Sequence, residues 1–395
     1  MIETTPSAPS APAATTFNAL NVPVHRASTV VFDDTASFLA RRTQLFDGFS
    51  YGLYGTPTTR ALEAAVAETE GGTRTLLVPS GLAAVTHPVL GLLTPGDQVL
   101  IADCVYGPTR EHAVSTLRRM GMRVDFFAAD SADIRPLLSE RARLVILESP
   151  GSYSLEIQDI AALCKQAHAA GARVLADNTW GFGNTDLFAH GVDIVATALS
   201  KYAGGHSDVC MGSVTVRDED LFRRLKTFFA GLGTGVSSDD AYLISRGLAT
   251  LDVRLAEQSR RGVLVSHWLR ERAEKFALAA VLNPADPSDV GHPRFKHYFR
   301  RGNGLVSFVP ACQDVGAMAA MLDGLTRFRI GASWGGTESL VAVADLSAAR
   351  SVRLGLPGPW VVRLHIGLEP IQKLLDDLLL GLQRLAAYPT PSTKA

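Results

Sequence analysis

Between residues 173 and 208 the sequence sets an acid, a serine and a lysine where two buried strands would end. The apolar runs Arg173-Val174-Leu175-Ala176 and Ile194-Val195-Ala196-Thr197-Ala198-Leu199 stop at Asp177 and at Ser200-Lys201. Short continuous apolar runs suit parallel strands buried on both faces, and open sheets of this kind bind ligands beyond their strands' carboxyl ends. Taken singly, Lys201 reads as a solvated surface lysine and Asp177 as a turn cap. Taken together they suit pyridoxal phosphate. The lysine amine supplies a Schiff-base nitrogen, and the carboxylate keeps the pyridine nitrogen protonated so that the ring acts as an electron sink.

Other strand ends carry polar groups of their own. Thr75-Leu76-Leu77-Val78 runs into Pro79-Ser80-Gly81-Leu82 and a small-residue helix, whose amino-terminal amides after a glycine form a phosphate cup or, in the plainer reading, an ordinary serine cap. Gln98-Ile101 leads to Asp103-Cys104-Val105-Tyr106-Gly107, which sets a tyrosine at a strand tip, fit to stack on a planar ring. Leu144-Leu147 ends in Glu148-Ser149-Pro150-Gly151-Ser152.

The elements that would position these groups alternate along the chain. Strand-like runs at Thr75-Val78, Gln98-Ile101, Val124-Ala128, Leu144-Leu147, Arg173-Ala176, Ile194-Ala198 and Ser213-Val216 are separated by gaps that mostly hold a helix. The pattern predicts an α/β fold with a mostly parallel seven-stranded sheet covered on both faces. Residues 59–248 form this large domain. Residues 249–395 form a smaller α/β domain, entered by one long helical stretch from Ala241 towards Phe276, with strands at Leu305-Val309 and Val361-Ile366 and a closing helix at Ile371-Leu385. Residues 17–58, rich in Phe and Tyr but poor in periodicity, read as an arm packed on a neighbouring subunit. Residues 1–16 read as a disordered tail without the basic and apolar regions of a signal peptide.

Composition narrows the class. The 395 residues carry 47% hydrophobic and 19% charged residues and a formal net charge of -1, as a soluble enzyme of two domains would. No basic stripe speaks for nucleic acid, and no apolar run is long enough to span a bilayer. The four cysteines are scattered without metal-ligand or disulfide spacing, so no metal site is expected and a reducing cytoplasm fits.

Several stretches resemble one family when taken in order: Tyr51-Gly52-x-x-Gly55-Thr56-Pro57-Thr58, Ser80-Gly81, Asp177-Asn178-Thr179-Trp180, Ser200-Lys201-Tyr202 with Gly205-His206-Ser207-Asp208, and Gly335-Gly336-x-Glu338-Ser339-Leu340. They are similar to the Cys/Met-metabolism group of fold type I pyridoxal-phosphate enzymes, most of all to its bacterial cystathionine β-lyase branch, from about Phe17 to Leu385. The resemblance implies Lys201 as the Schiff-base and catalytic lysine, Asp177 as the pyridine partner, and Tyr106 as the stacked, catalytic tyrosine. It implies a phosphate cup of Gly81, Leu82 and Ser200, with Tyr51 reaching the phosphate of a neighbouring subunit. Arg363 would grip the substrate α-carboxylate beside Ser333 and Trp334, and Tyr242 would meet the distal part of an amino-acid thioether. A homotetramer of two catalytic dimers is implied as well. One departure stands out. Where the family commonly reads Tyr-Gly-Arg this chain has Leu53, so either a cation such as Arg60 replaces that arginine or the cofactor binds less tightly.

Two other activities compete. Gly331-Ala332-Ser333-Trp334-Gly335 satisfies the G-x-S-x-G pattern of serine hydrolases, but a nucleophile elbow needs a helix directly after it and here Gly335-Gly336-Thr337 follows. Within the family, relatives working at the γ-carbon usually read Glu-Ser-Pro-x-Asn-Pro, Ser-Leu-Gly-Gly and Arg-Leu-Ser. This chain reads Glu148-Ser149-Pro150-Gly151-Ser152, Ser333-Trp334-Gly335-Gly336 and Arg363-Leu364-His365, which sides with β-elimination over γ-chemistry and leaves C-S lysis of cysteine or cystine as the alternative to cystathionine cleavage.

Overall fold

The computed structural model describes residues 19–388. The expected tail, residues 1–16, lies outside them. The large sheet is built from β1 (Arg74–Val78), β2 (Gln98–Ala102), β3 (Arg123–Phe127), β4 (Ala142–Glu148), β5 (Arg173–Asp177), β6 (Ile194–Ala198) and β7 (Gly212–Val216), in the order β1-β7-β6-β5-β4-β2-β3. Only β7 runs against its neighbours, pairing antiparallel with both β1 and β6. The carboxyl ends of β1, β2, β4, β5 and β6 therefore share one edge. Strand β2 is buried along its whole length, as an interior parallel strand covered on both faces must be.

Helix Pro57–Glu70 shows how the sequence delivers a residue to that edge. Thr56 caps its start, accepting from the Thr59 amide, and Pro57 follows where a missing N–H costs nothing. Leu62 and Val66 are fully buried, which favours this packing by about 1.5–3 kcal/mol each. Gly71 ends the helix with a left-handed φ of 72°. The last helical side chain, Glu70, is thereby turned into the core beside β5 and β6.

A second sheet has the order β10-β11-β12-β9-β8, from β8 (Leu278–Leu282), β9 (Leu305–Pro310), β10 (Arg329–Ile330), β11 (Leu340–Asp345) and β12 (Trp360–His365). Helix Ile371–Ala387 packs on it through Leu374, Leu378 and Leu382. The single helix expected from Ala241 to Phe276 is two, Ser238–Leu248 and Leu251–Arg270, followed by a turn. A side chain at Gly247 would stand 2.2 Å from the Ala203 carbonyl oxygen, so the first helix closes against that loop. Arg254 and Thr250 then satisfy the freed Gly247 carbonyl at 2.7 and 3.2 Å.

Candidate active site

Asp177 ends β5, and its Oδ1 accepts from the Thr179 amide at 2.9 Å. Its register neighbours are Glu148 on β4 and Ala196 on β6. Burial pushes the Asp177 carboxyl up, while the Thr179 hydrogen bonds and the charge of Lys201 hold it down. Glu148, beside it, is pushed well above the carboxylate range by burial and by the Asp177 charge, although its Oε2 accepts from the Tyr106 amide at 2.6 Å. Of the two carboxyls, Asp177 is the less strongly raised. A pyridinium partner needs the ionised form, which the Thr179 hydrogen bonds and the Lys201 charge favour.

Lys201 stands in the turn after β6, and burial together with the nearby Arg363 lowers its amine to about 8. Its Nζ donates to the Ser333 hydroxyl at 2.8 Å and lies 5.6 Å from the centre of the Trp334 ring. Trp334 packs on Tyr202 with centroids 5.4 Å apart, and the Tyr202 ring lies 6.2 Å from that of His365. Burial lowers His365 to about 4, so it is neutral, and its Nε2 stands 3.0 Å from the Gly336 carbonyl, holding the Gly335-Gly336 loop in place. The segment 331–335 lies in a loop between β10 and β11 with no helix after it, which removes the nucleophile elbow and leaves Ser333 as a partner of Lys201.

Arg363, in the middle of β12, is 5% exposed. Tyr106 follows β2 at the start of helix Gly107–His112 and is 43% exposed. Its phenol is pushed up by burial first, then by Tyr153, Glu148 and Asp177, against the pull of Arg363. Charge effects link Tyr106, Asp177, Lys201 and Arg363, and contacts with the Lys201 amine add Ser333 and Trp334 to the same site.

Gly81 opens helix Gly81–Leu92, capped by Ser80, whose Oγ accepts from Ala83. A Cβ at Gly81 would stand 2.3 Å from the Ala198 Cβ. Only glycine lets the helix start seat against the end of β6, with the Gly81 and Leu82 amides left as its first unpaired donors. Ser200 is engaged in both directions by Met211, accepting from its amide at 3.0 Å and donating to its carbonyl at 3.1 Å. The pieces fit pyridoxal phosphate on chemistry as well as on position: a buried acid beside a cation, a depressed amine, an exposed phenol, and a helix start with free amides.

Two expected residues stay outside this cluster. Tyr51 is on the arm, 44% exposed and edge-on to Tyr54 at 5.9 Å. Tyr242 is half-buried on helix Ser238–Leu248, with no hydrogen bond or aromatic pair joining it to the cluster among the described residues. Arg60 is occupied locally: Nη1 donates to Glu63 at 2.8 Å and Nη2 to the Leu45 carbonyl at 3.4 Å. Sequence reasoning missed Glu70, Tyr153 and the packing of Tyr202. Tyr202 had a signal in its place next to Lys201; the other two had none.

No helix among the described residues is long and apolar enough to cross a membrane, and no group of three metal-ligating side chains occurs among them. A model of the Cys/Met metabolism PLP-dependent enzymes matches residues 7–383. A Rhizobium johnstonii protein provisionally named cystathionine beta-lyase is 41% identical, the match covering 93% of this chain and 92% of its own. The cystathionine beta-lyase of Bordetella avium is 38% identical over 93% of each. Among solved structures, a cystathionine gamma synthase from Xanthomonas oryzae pv. oryzae superposes with a TM-score of 0.84 at 27% identity, over 95% of both chains.

Proposed function

The chain belongs to the Cys/Met metabolism PLP-dependent enzyme family, and from that premise we propose that it cleaves the Cβ–S bond of L-cystathionine, giving homocysteine, pyruvate and ammonia. The observation that carries the reading is the pocket wall of Lys201, Ser333 and Trp334, with a hydrogen bond of 2.8 Å from the amine to Ser333. Relatives at 38–41% identity carrying the β-lyase name support it.

The cofactor, when bound, supplies an electron sink for the charge left at the substrate Cα. The residues do the rest. Lys201 anchors the cofactor and later takes the Cα proton on Nζ; an amine near 8 is partly neutral at physiological pH and so able to accept it. Asp177 holds the pyridine nitrogen protonated. Gly81, Leu82 and Ser200 would hold the phosphate. Tyr106 would stack on the ring. Arg363 receives the substrate carboxylate as a bidentate donor. Ser333 and Trp334 bound the side on which the thiolate leaves, and Tyr242 meets the distal chain.

Residues 59–248 serve as the cofactor-binding domain, 249–395 as the small domain and 17–58 as an arm. Tyr51 completes the phosphate site of a neighbouring subunit in a cytoplasmic homotetramer. Exposed Phe38, Phe49 and Tyr51 support an arm that is covered in the assembly. Incubation of the purified holoenzyme with L-cystathionine tests the activity. Homocysteine, pyruvate and ammonia in equal amounts are expected, and absence of thiol release ends the reading.

A further inference from the structure

Arg363 presents an electrostatic problem that its neighbours solve in an unusual way. Its guanidinium is almost fully buried, yet among the described residues no carboxylate is within ion-pair distance of it and its side chain donates no hydrogen bond. A buried, unpaired charge is costly. The contact that compensates is an aromatic face: the Arg363 Cζ stands 4.2 Å from the centre of the Tyr153 ring.

The chain takes trouble to put that ring there. Tyr153 has φ +65° and Leu155 φ +57°, two left-handed residues of which neither is glycine. Such conformations are disfavoured for bulky side chains and persist only when the surroundings over-determine them. Here they do. The Gly151 amide donates to the Glu156 carbonyl, the Leu155 amide to the Gly151 carbonyl and the Ser152 amide to the Cys104 carbonyl, each at 2.9 Å. Arg350, its side chain almost fully buried, donates to the Ser154 hydroxyl and reaches both Glu156 carboxylate oxygens at 3.4 Å. Leu155 is sunk into the core at 5% exposure. Tyr153 is left half-buried, with its hydroxyl in no hydrogen bond among the described residues.

A carboxylate in the same place would neutralise Arg363 but would occupy the N–H edge that an incoming carboxylate needs. A π-face stabilises the cation from the side and leaves that edge free. We propose that Tyr153 is a positioning residue for substrate capture, its ring bracing Arg363 in a charged, open state that receives the α-carboxylate. The proposal rests on Arg363 being the carboxylate receptor in the proposed cleavage of cystathionine.

The test uses holoenzyme with Tyr153→Asn and Tyr153→Phe. Asparagine accepts the left-handed backbone better than tyrosine, so Y153N removes the ring without threatening the fold. Binding of L-alanine and of L-alaninamide, followed through the cofactor's visible absorption, compares a ligand that has the carboxylate with one that lacks it. Y153N should weaken L-alanine about tenfold and leave L-alaninamide unchanged. Its KM for L-cystathionine should rise by a similar factor with a much smaller change in kcat, and Y153F should restore both. Equal loss for the two ligands, or none for either, overturns the proposal. A wild-type enzyme that binds L-alanine but does not cleave cystathionine would sink the substrate assignment alone and leave this test standing.

Discussion

Lys201, just beyond the large sheet, donates from Nζ to the hydroxyl of Ser333 in the loop leading into β11 of the small sheet, 2.8 Å away. That bond ties the amine proposed as catalytic to the loop proposed as the substrate-pocket wall. It also holds the amine in place while its charge is destabilised by burial.

The first prediction follows from the Lys201 amine at about 8 against an ordinary value of 10.5. In cofactor-free protein, one lysine should react with an amine-directed reagent with a midpoint near pH 8, and peptide mapping should identify it as Lys201. Lys201→Ala should lose that reactivity, all turnover and the visible absorption of the holoenzyme, and should keep its fold, because the lost group was a destabilised buried charge. Borohydride should fix the cofactor to the Lys201 peptide in the wild type alone. Normal turnover by Lys201→Ala would remove the cofactor chemistry altogether.

The second concerns Glu70, which accepts from Asn178 Nδ2 at 2.6 Å and from Thr197 Oγ1 at 2.5 Å directly behind Asp177. Burial raises this carboxyl from 4.5 to about 7. The folded pKa lies above the unfolded one, so its contribution to stability is full below about pH 4.5 and is lost as pH rises through about 7. Glutamine keeps an acceptor for Asn178 and cannot ionise. Urea unfolding at about pH 5 and about pH 8.5 should show Glu70→Gln gaining on the wild type by about 2.5 kcal/mol over that interval. Parallel pH curves for the two proteins would show that Glu70 does not titrate in this range.

Much of this site is legible in the sequence, because strand ends are where short apolar runs meet polar residues: Asp177, Tyr106, Glu148 and Lys201 all declare themselves that way. The seven strands of the large sheet are legible for the same reason. The small sheet is harder. Leu278–Leu282 and Leu340–Asp345 mix Ala and Leu with Val, so neither period nor propensity separates strand from helix there, and the break at Ala249–Thr250 depends on a close approach of Gly247 to Ala203 that only the tertiary fold creates. Glu70 and Tyr153 are invisible for a related reason. One looks like the end of a surface helix and the other like a loop tyrosine, until distant residues close around them.

Leu53 leads to the third prediction. The residue is partly exposed on the arm beside Gly235, and Arg60, the nearest replacement for the family's arginine, is already paired with Glu63. A cation at position 53 should therefore add a charge-assisted contact to the cofactor phosphate of the neighbouring subunit. Such a bond is worth roughly 1.5–3 kcal/mol when well placed. Titration of cofactor-free Leu53→Arg should give a Kd at least about tenfold below the wild type. Unchanged or weaker affinity would show that the phosphate is held without help from this position.

The last prediction turns on Trp334, whose ring packs on Tyr202 at 5.4 Å and faces the Lys201 amine at 5.6 Å. Tyr202 is itself immovable: it is 1% exposed, and its hydroxyl accepts from the Gly304 amide at 3.0 Å. A broad indole backed by a fixed phenol narrows the space next to the amine. γ-Chemistry needs that space, since the chain beyond Cβ has to swing while protons are moved at both Cα and Cβ. The β-route needs only departure of the sulfur. The wild type should therefore yield pyruvate from cystathionine with 2-oxobutyrate at most a minor product. Trp334→Ala should raise the 2-oxobutyrate fraction and lower the rate of pyruvate formation, while the cofactor absorption persists because Lys201 and Asp177 are untouched. Chromatography of the keto acids decides it: 2-oxobutyrate as the main product of the wild type would place this enzyme on the γ-branch, and an unchanged product ratio in Trp334→Ala would free the indole of any part in the choice.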